Sequence, residues 1–176
     1  MSYRILKITS FYKPFLKYFY DKYPEVKLLP YFDHYTALMY EGHAWSDFFQ
    51  RHFSSMGIEA YEIVHNATLL QESWARENGI SPNEDIVLKQ IKNINPDVVF
   101  FQDCISFSAE YFIKVRETVP GIKLMIGHCC SPFSRENLEA FSKLDFMLAC
   151  SPGFAEIFNK HNIKNYNFLH AFEADI

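Results

Sequence analysis

The chain has 176 residues, about half of them hydrophobic (49%) and 22% charged, which is enough apolar material for one domain-sized core and excludes a disordered chain. Aromatic residues are dense, with 18 Phe, 11 Tyr and 2 Trp, whereas glycine occurs only 6 times. No two glycines stand within two residues of each other, as G-x-G-x-x-G requires, and no Gly-Lys-Ser/Thr is present. A glycine-rich phosphate-binding loop is therefore excluded.

The net charge of −4 is unevenly distributed along the chain. Residues 1–30 carry six Lys/Arg and two acidic residues, whereas residues 31–176 carry eleven and nineteen. This basic footprint is too narrow for a nucleic-acid-binding protein, so we predict no nucleic-acid partner. The basic, aromatic segment 13–27 is compatible with weak contact to an anionic membrane surface, although we favour a packed helix with solvated lysines.

Cysteine usage and hydropathy indicate the compartment. No apolar run reaches the roughly 18–20 residues of a membrane span, and no signal-peptide core follows the charged start. The four cysteines lack C-x-x-C spacing, and Cys129 and Cys130 are adjacent. We therefore predict a cytoplasmic chain with all four cysteines reduced, in which Cys129 and Cys130 fill space at the end of a strand.

Strands and helices alternate along the chain. The predicted strands cover residues 3–11, 58–64, 98–101, 122–127, 146–149 and 166–169. The predicted helices cover residues 14–22, 35–56 with a break near Gly42, 68–78, 84–94, 107–118, 135–142 and 153–161. This alternation is typical of a parallel sheet with helices on both faces. We predict a single α/β domain over residues 1–176, with a doubly wound, Rossmann-like sheet of six parallel strands in the order 2-1-3-4-5-6.

The predicted strand order also predicts a site. In a doubly wound sheet, ligands bind beyond the carboxyl ends of the strands where the winding reverses, here between the first and third strands. The residues that leave these strands and the neighbouring fourth strand are Ser10, Phe11, Tyr12, Gln102, Asp103 and His128. A phospho-receiver is disfavoured because no acidic pair follows the first strand. A flavodoxin is disfavoured because Phe-Tyr-Lys-Pro offers no phosphate loop.

Six segments carry a resemblance to a known family. They are ILKITSFYKPF (5–15), EGHAWSDFFQRHFSSMGIEAYEIV (41–64), NPDVVFFQD (95–103), IKLMIGHCCSP (122–132), LACSPGFAEIFNKHNI (148–163) and NFLHAFEADI (167–176). The Gly-x-x-Trp-Ser-Asp stretch and the late His-Ala-Phe are the most particular of them. Together they resemble the amino-terminal half of GT-B glycosyltransferases, in particular the CgeB-like and related family-one-type bacterial enzymes.

The resemblance implies an acceptor-side domain of an enzyme that moves a sugar from a nucleotide-sugar donor to a sugar or glycan-type acceptor. In such enzymes a second, carboxyl-terminal domain holds most of the donor nucleotide, and that domain lies outside these 176 residues. No cofactor is expected in this domain, and the isolated chain is expected to be inactive. The glycine-rich acceptor-side loop of many such enzymes is absent here. The alternative is a non-enzymatic α/β ligand-binding or interaction domain.

Three ionisable residues are candidate catalytic groups. Asp103 and His128 leave neighbouring strands, and Asp47 lies near the start of the helix before the second strand. One of them would accept the proton of the acceptor hydroxyl, with Asp103 as the first choice. In the simpler alternative, Asp103 caps a turn, His128 bonds only to backbone, and Ser46 and Asp47 satisfy a helix start. The candidate acceptor-binding residues are Ser10, Phe11, Tyr12, Trp45, Ser46 and Gln102, with Phe11 and Tyr12 as an aromatic wall.

Cysteines and histidines suggest a metal site only weakly. The residues that follow successive strands and could in principle hold a metal are Cys104, Cys129, Cys130, Cys150, Asp103 and His128. Adjacent cysteines chelate one ion poorly, so we favour buried thiols and predict no metal. His43 and His52 are nine residues apart and would lie on opposite sides of one helix. We predict His52 in the core and His34, His65 and His161 in loops or at helix ends.

Overall fold

The computed structural model describes residues 3–43, 46–81 and 83–168. Six strands lie in this part of the chain: β1 (Arg4–Thr9), β2 (Glu59–Val64), β3 (Val98–Phe101), β4 (Leu124–Cys129), β5 (Phe146–Ala149) and β6 (Asn165–Asn167). The same part contains eight α-helices: α1 (Lys13–Lys22), α2 (Tyr31–Tyr40), α3 (Phe48–Ser55), α4 (Thr68–Glu77), α5 (Ile86–Ile94), α6 (Ala109–Thr118), α7 (Arg135–Phe141) and α8 (Pro152–Lys160). A short 3-10 helix, Val26–Leu28, follows α1.

The strands form one parallel sheet in the order β2-β1-β3-β4-β5-β6, which confirms the predicted fold class and order. Ile8 of β1 pairs with Ile63 of β2 on one side and with Phe101 of β3 on the other. The winding therefore reverses at β1. Because all strands run in the same direction, their carboxyl ends meet at one edge, which we call the carboxyl edge.

Local sequence signals explain several helix boundaries. Helices α6, α7 and α8 each begin after a serine whose side chain accepts a backbone N–H from the first turn, at Ser108, Ser134 and Ser151. Asn95 adopts the left-handed conformation (φ 49°) and ends α5. The predicted break near Gly42 divides the segment 35–56 into α2 and α3, and Gly42 has φ 62°.

Two hydrophobic clusters flank the sheet. The larger cluster joins one sheet face to α5–α8 and includes the fully buried rings of Phe101, Phe112, Phe141 and Phe158. The smaller cluster joins α1, α2 and α4 beside β2 and is centred on Phe19, Leu38 and Leu70. The aromatic residues of the basic start therefore supply much of the second cluster.

Two lysines of α1 have acidic neighbours. Lys17 pairs with Asp21 at 2.5 Å, and Lys22 pairs with Glu41 at 3.6 Å. These pairs offset part of the positive charge that would attract an anionic membrane surface, so contact through residues 13–27 stays a prediction. In the part of the chain that the structure describes, no helix has both the length and the apolarity to cross a membrane.

A buried ion pair joins the neighbouring strands β1 and β2. Lys7 and Glu62 are register partners, their side chains are 4% and 0% exposed, and Lys7 Nζ lies 2.5 Å from Glu62 Oε2. Glu62 Oε1 also accepts the backbone N–H of Gln50 at 2.7 Å. Burial lowers the pKa of Lys7 and raises the pKa of Glu62. The pair thereby attaches α3 to the first two strands.

Gly127 provides a test of the packing between β4 and β5. A Cβ at this position would lie 2.5 Å from Met147 Sδ and 2.6 Å from Leu144 Cδ1, and both side chains are buried. We expect Gly127→Ala to lower the free energy of unfolding by about 1–3 kcal/mol, measured by urea denaturation.

Gly153 in α8 offers a matched control, because a Cβ there would meet nothing closer than 3.9 Å. We expect Gly153→Ala to change stability by less than about 1 kcal/mol, in the stabilising direction. Equal effects of the two substitutions would contradict the described packing.

Candidate functional site

A cavity of about 240 Å³ opens at the carboxyl edge, where the winding reverses. We call it the carboxyl-edge cavity, and it is lined by Thr9, Ser10, Tyr12, Gln102, Asp103, Ile105, His128, Cys130 and Ser131. The structure thus brings together five of the predicted site residues, one from β4 and four from the loops that follow β1 and β3. Backbone bonds hold two of them, since the N–H groups of Gln102 and Asp103 both donate to Ile8 O, at 2.9 and 3.4 Å.

The Asp103 carboxylate takes part in a hydrogen-bond network at this cavity. Its Oδ2 lies 3.0 Å from His65 Nε2 and accepts the Ser106 hydroxyl at 2.8 Å. The Ser10 side chain also favours the ionised form of this carboxyl group and so lowers its pKa. Burial alone would raise the pKa of Asp103, but the bonds from His65, Ser10 and Ser106 outweigh burial and lower the pKa to about 2. Asp103 is therefore ionised at neutral pH.

This low pKa bears on the role of Asp103. A general base works best when its pKa lies near the operating pH, and a carboxyl group with a pKa of about 2 is a weak proton acceptor at neutral pH. A carboxylate held in one orientation by its neighbours is instead well suited to accept hydrogen bonds from ligand hydroxyl groups. The structure favours this anchoring role for Asp103.

His128 faces the same cavity from β4 and is only 7% exposed. Its ring lies edge-on to Phe100 and Phe168, with centroid distances of 6.3 and 5.8 Å. Its backbone carbonyl accepts the buried thiol of Cys104 at 3.1 Å. An imidazole can both accept and donate a proton, so His128 is the lining residue whose chemistry best suits proton transfer.

The two predicted wall residues separate in the structure. Tyr12 is 70% exposed and lines the cavity, whereas Phe11 is only 3% exposed and belongs to the smaller hydrophobic cluster. Asn66 bonds to both the N–H and the C=O of Phe11, which directs the phenyl ring beneath α1. The prediction that Phe11 forms an aromatic wall is therefore wrong, because the ring is needed for core packing.

Asp47 and Ser46 line a different cavity, of about 530 Å³, between α2 and α3. Asp47 occupies the N-cap position of α3 without a side-chain capping bond, and buried Ser46 donates its hydroxyl to Met39 O at 2.5 Å. Neither residue lines the carboxyl-edge cavity, so the structure does not place Asp47 beside Asp103 and His128 as we predicted. Helices α1 and α2 lie between β1 and α3 in the chain. Trp45 lies outside the described residues.

The cysteines differ from the prediction in one pair. Cys130 and Cys150 form a disulfide with a Cα–Cα distance of 5.5 Å, so the prediction that all four cysteines are reduced is wrong for these two. The pairing follows from register, because Cys129 is opposite Ala149 and the next residue of each strand is a cysteine. Cys104 and Cys129 are buried free thiols. Within the described ranges, no three or more His, Cys, Asp or Glu side chains cluster as metal ligands.

His52 lies elsewhere than predicted, and His34 and His65 make side-chain contacts that we did not predict. His52 is exposed on α3 rather than in the core, and His34 is buried in α2, where its Nε2 lies 2.9 Å from the Tyr20 hydroxyl. His65 directly follows β2 and contacts Asp103, a role that we did not predict. The signal was its position at the end of a strand adjacent to β1, to which the carboxyl-end rule applies equally.

Comparisons with known proteins add no assignment, since neither a protein-family model nor a curated protein sequence matches this chain. The lining residues themselves limit the ligand. Among the described residues that line the carboxyl-edge cavity there is no Lys or Arg, whereas Asp103 contributes a negative charge. This electrostatic environment disfavours phosphate groups and suits ligand groups that donate hydrogen bonds.

The Asp103 network predicts a pH-dependent contribution to stability. Because the pKa of Asp103 in the folded state, about 2, lies below its ordinary value of 3.8, the stabilisation is present above about pH 4 and is lost as the pH falls towards 2. We expect Asp103→Asn to cost about 2 kcal/mol at pH 7, and this difference from the wild type should shrink as the pH falls below about 4. Urea denaturation between about pH 2.5 and 7 measures it.

Ser106→Ala removes one donor and should raise the pKa of Asp103 towards 3.8, with an intermediate loss of stability at pH 7. Glu156→Gln, on the exposed face of α8, serves as the control for loss of a carboxylate. A stability difference between Asp103→Asn and wild type that stays constant with pH would show that the hydrogen bonds do not stabilise the ionised form.

Proposed function

We propose that this chain is the acceptor-binding domain of a GT-B-type glycosyltransferase and that its carboxyl-edge cavity holds a neutral, hydroxyl-bearing sugar or glycan acceptor. One observation carries the proposal: Ser10, Gln102, Asp103 and His128 line one cavity where the sheet winding reverses. The resemblance of the six sequence segments to the amino-terminal half of such enzymes supports it.

The size and polarity of the cavity support an acceptor rather than a donor. Its volume of about 240 Å³ lies below the roughly 300–1,000 Å³ of common small-molecule pockets, which suits one sugar unit better than a nucleotide sugar. Asp103 would accept bonds from sugar hydroxyls, and Gln102 can both donate and accept. The exposed ring of Tyr12 offers a flat apolar surface for a pyranose face.

Within this proposal, Asp103 and His128 have separate roles. Asp103 orients the acceptor hydroxyl, and His128 accepts its proton as the oxygen attacks the anomeric carbon of the donor. The bond between that carbon and the nucleotide diphosphate breaks, and the diphosphate leaves with the electron pair. The donor nucleotide would be held by a separate domain, as the resemblance implies.

Chemical-shift titration of the ¹⁵N-labelled chain tests the proposal. We expect neutral methyl glycosides to shift the amides of Ser10, Gln102 and Asp103 with dissociation constants on the order of 1 mM or weaker. Sugar nucleotides should bind no more tightly than the glycosides, because the cavity carries negative charge. Asp103→Asn should abolish the glycoside shifts, and Glu156→Gln on exposed α8 should retain them.

Sugar transfer by the isolated chain, or nucleotide binding far tighter than glycoside binding, would contradict an acceptor-only domain. If glycosides cause the same chemical-shift changes in Asp103→Asn as in the wild type, the carboxyl-edge cavity is not the glycoside-binding site. Binding of a protein partner with no response to any glycoside would favour the interaction-domain alternative.

A further inference from the structure

We propose that Cys130 and Cys150 form a reversible dithiol–disulfide switch. The disulfide holds the wall of the carboxyl-edge cavity in place, and its reduction makes that wall more mobile. As a regulator of acceptor binding, the switch rests on the proposed function. As a device that changes the cavity wall, it rests on the positions of the two cysteines alone.

The fold brings the two cysteines together through a repeated local pattern. Each begins a Cys-Ser-Pro tripeptide, at residues 130–132 and 150–152. The first tripeptide directly follows β4, and the second directly follows β5. Because β4 and β5 are adjacent and in register, the two turns lie side by side. The Cα–Cα distance of 5.5 Å is within the usual range for a disulfide. The pairing is therefore a consequence of strand register.

The disulfide lies in the cavity wall. Cys130 and Ser131 both line the carboxyl-edge cavity, together with Asp103 and His128. Ser131 is held on its other side by a weak bond from the Cys129 thiol to its carbonyl oxygen, with an S–O distance of 3.4 Å. The Cys130–Cys150 bond is thus the covalent attachment of this wall to the start of α8.

Exposure makes this pair selectively accessible to redox reagents. Cys130 is exposed and Cys150 is partly exposed, whereas Cys104 and Cys129 are buried. Burial raises the pKa of both buried thiols, which keeps them protonated and unreactive. Cys150 precedes Ser151, the N-cap of α8, and a helix amino terminus stabilises a nearby thiolate. A thiol reagent should therefore act on Cys130 and Cys150 only.

The reaction is thiol–disulfide exchange with a low-molecular-weight thiol such as glutathione. One thiolate attacks a sulfur of the pair, the Sγ–Sγ bond breaks, and a mixed disulfide and one protein thiolate form. A second thiol molecule attacks the mixed disulfide and leaves two protein thiols and one small-molecule disulfide. Two electrons and two protons are transferred to the protein, and the small-molecule disulfide drives the reverse reaction.

Reduction should loosen the wall. The disulfide joins positions 20 residues apart and encloses α7, so its loss removes the attachment between the exit of β4 and the start of α8. Residues 131–134, between β4 and α7, then depend on non-covalent contacts. We expect their amides to exchange with solvent at least about fivefold faster in the reduced protein.

Equilibration in glutathione buffers of graded redox poise, followed by alkylation and mass spectrometry, measures the switch. We expect Cys130 and Cys150 to change state together in the native protein while Cys104 and Cys129 stay unmodified. Hydrogen–deuterium exchange on the same samples should show faster exchange at residues 131–134 in the reduced form. Cys130→Ser and Cys150→Ser should each exchange like the reduced protein under all buffers, and Cys104→Ala should retain the redox response.

The switch is wrong if the pair resists glutathione in the native protein, if it stays reduced across all buffers, or if exchange at residues 131–134 is the same in both states. None of these readouts needs a ligand. If hydrogen–deuterium exchange at residues 131–134 depends on redox state but no glycoside changes any amide chemical shift, the proposed function is wrong and the switch still holds. Glycoside shifts that are equal in both redox states would overturn only the regulatory role.

Discussion

The carboxylate of Asp103 connects the carboxyl ends of three strands. It bonds to His65 after β2 and to Ser106 in its own loop after β3, and the Ser10 side chain after β1 lowers its pKa. The winding reverses at these strands, so the chain segments that follow them diverge. Without the Asp103 carboxylate, the polar groups of these segments would face an open crevice. A single ionised group satisfies these donors and fixes one wall of the cavity. The site is ordered by the same interaction that joins the strand ends.

The unusual aromatic content serves packing more than recognition. Phe11 and Phe19 are buried with the helices between β1 and α4, and Tyr20 bonds to buried His34. Those helices also carry Asp47 into a second cavity away from Asp103. The segment between β1 and β2 thus covers these two strands. The ring of Tyr12, shortly after β1, lines the carboxyl-edge cavity.

Much of the fold could be predicted because its signals are local. Apolar runs of four residues at Val98–Phe101 and Phe146–Ala149 specify buried strands, and serine caps specify the starts of α6–α8. The predicted order 2-1-3-4-5-6, that of a doubly wound sheet, is the observed one. The carboxyl-end rule then identified Ser10, Gln102, Asp103 and His128 as neighbours, since it depends on strand order alone.

The sequence by itself therefore determined the strands, their order and the edge at which polar residues gather. Only the tertiary structure decided which of those side chains meet. His65 reaches Asp103 across 38 residues of sequence, and Cys130 reaches Cys150 across 20. Phe11 and Tyr12 are adjacent in the chain, yet Phe11 is buried in the core whereas Tyr12 lines the cavity. The physical reason is that side-chain direction and register depend on packing between distant segments, which no local pattern of residues encodes.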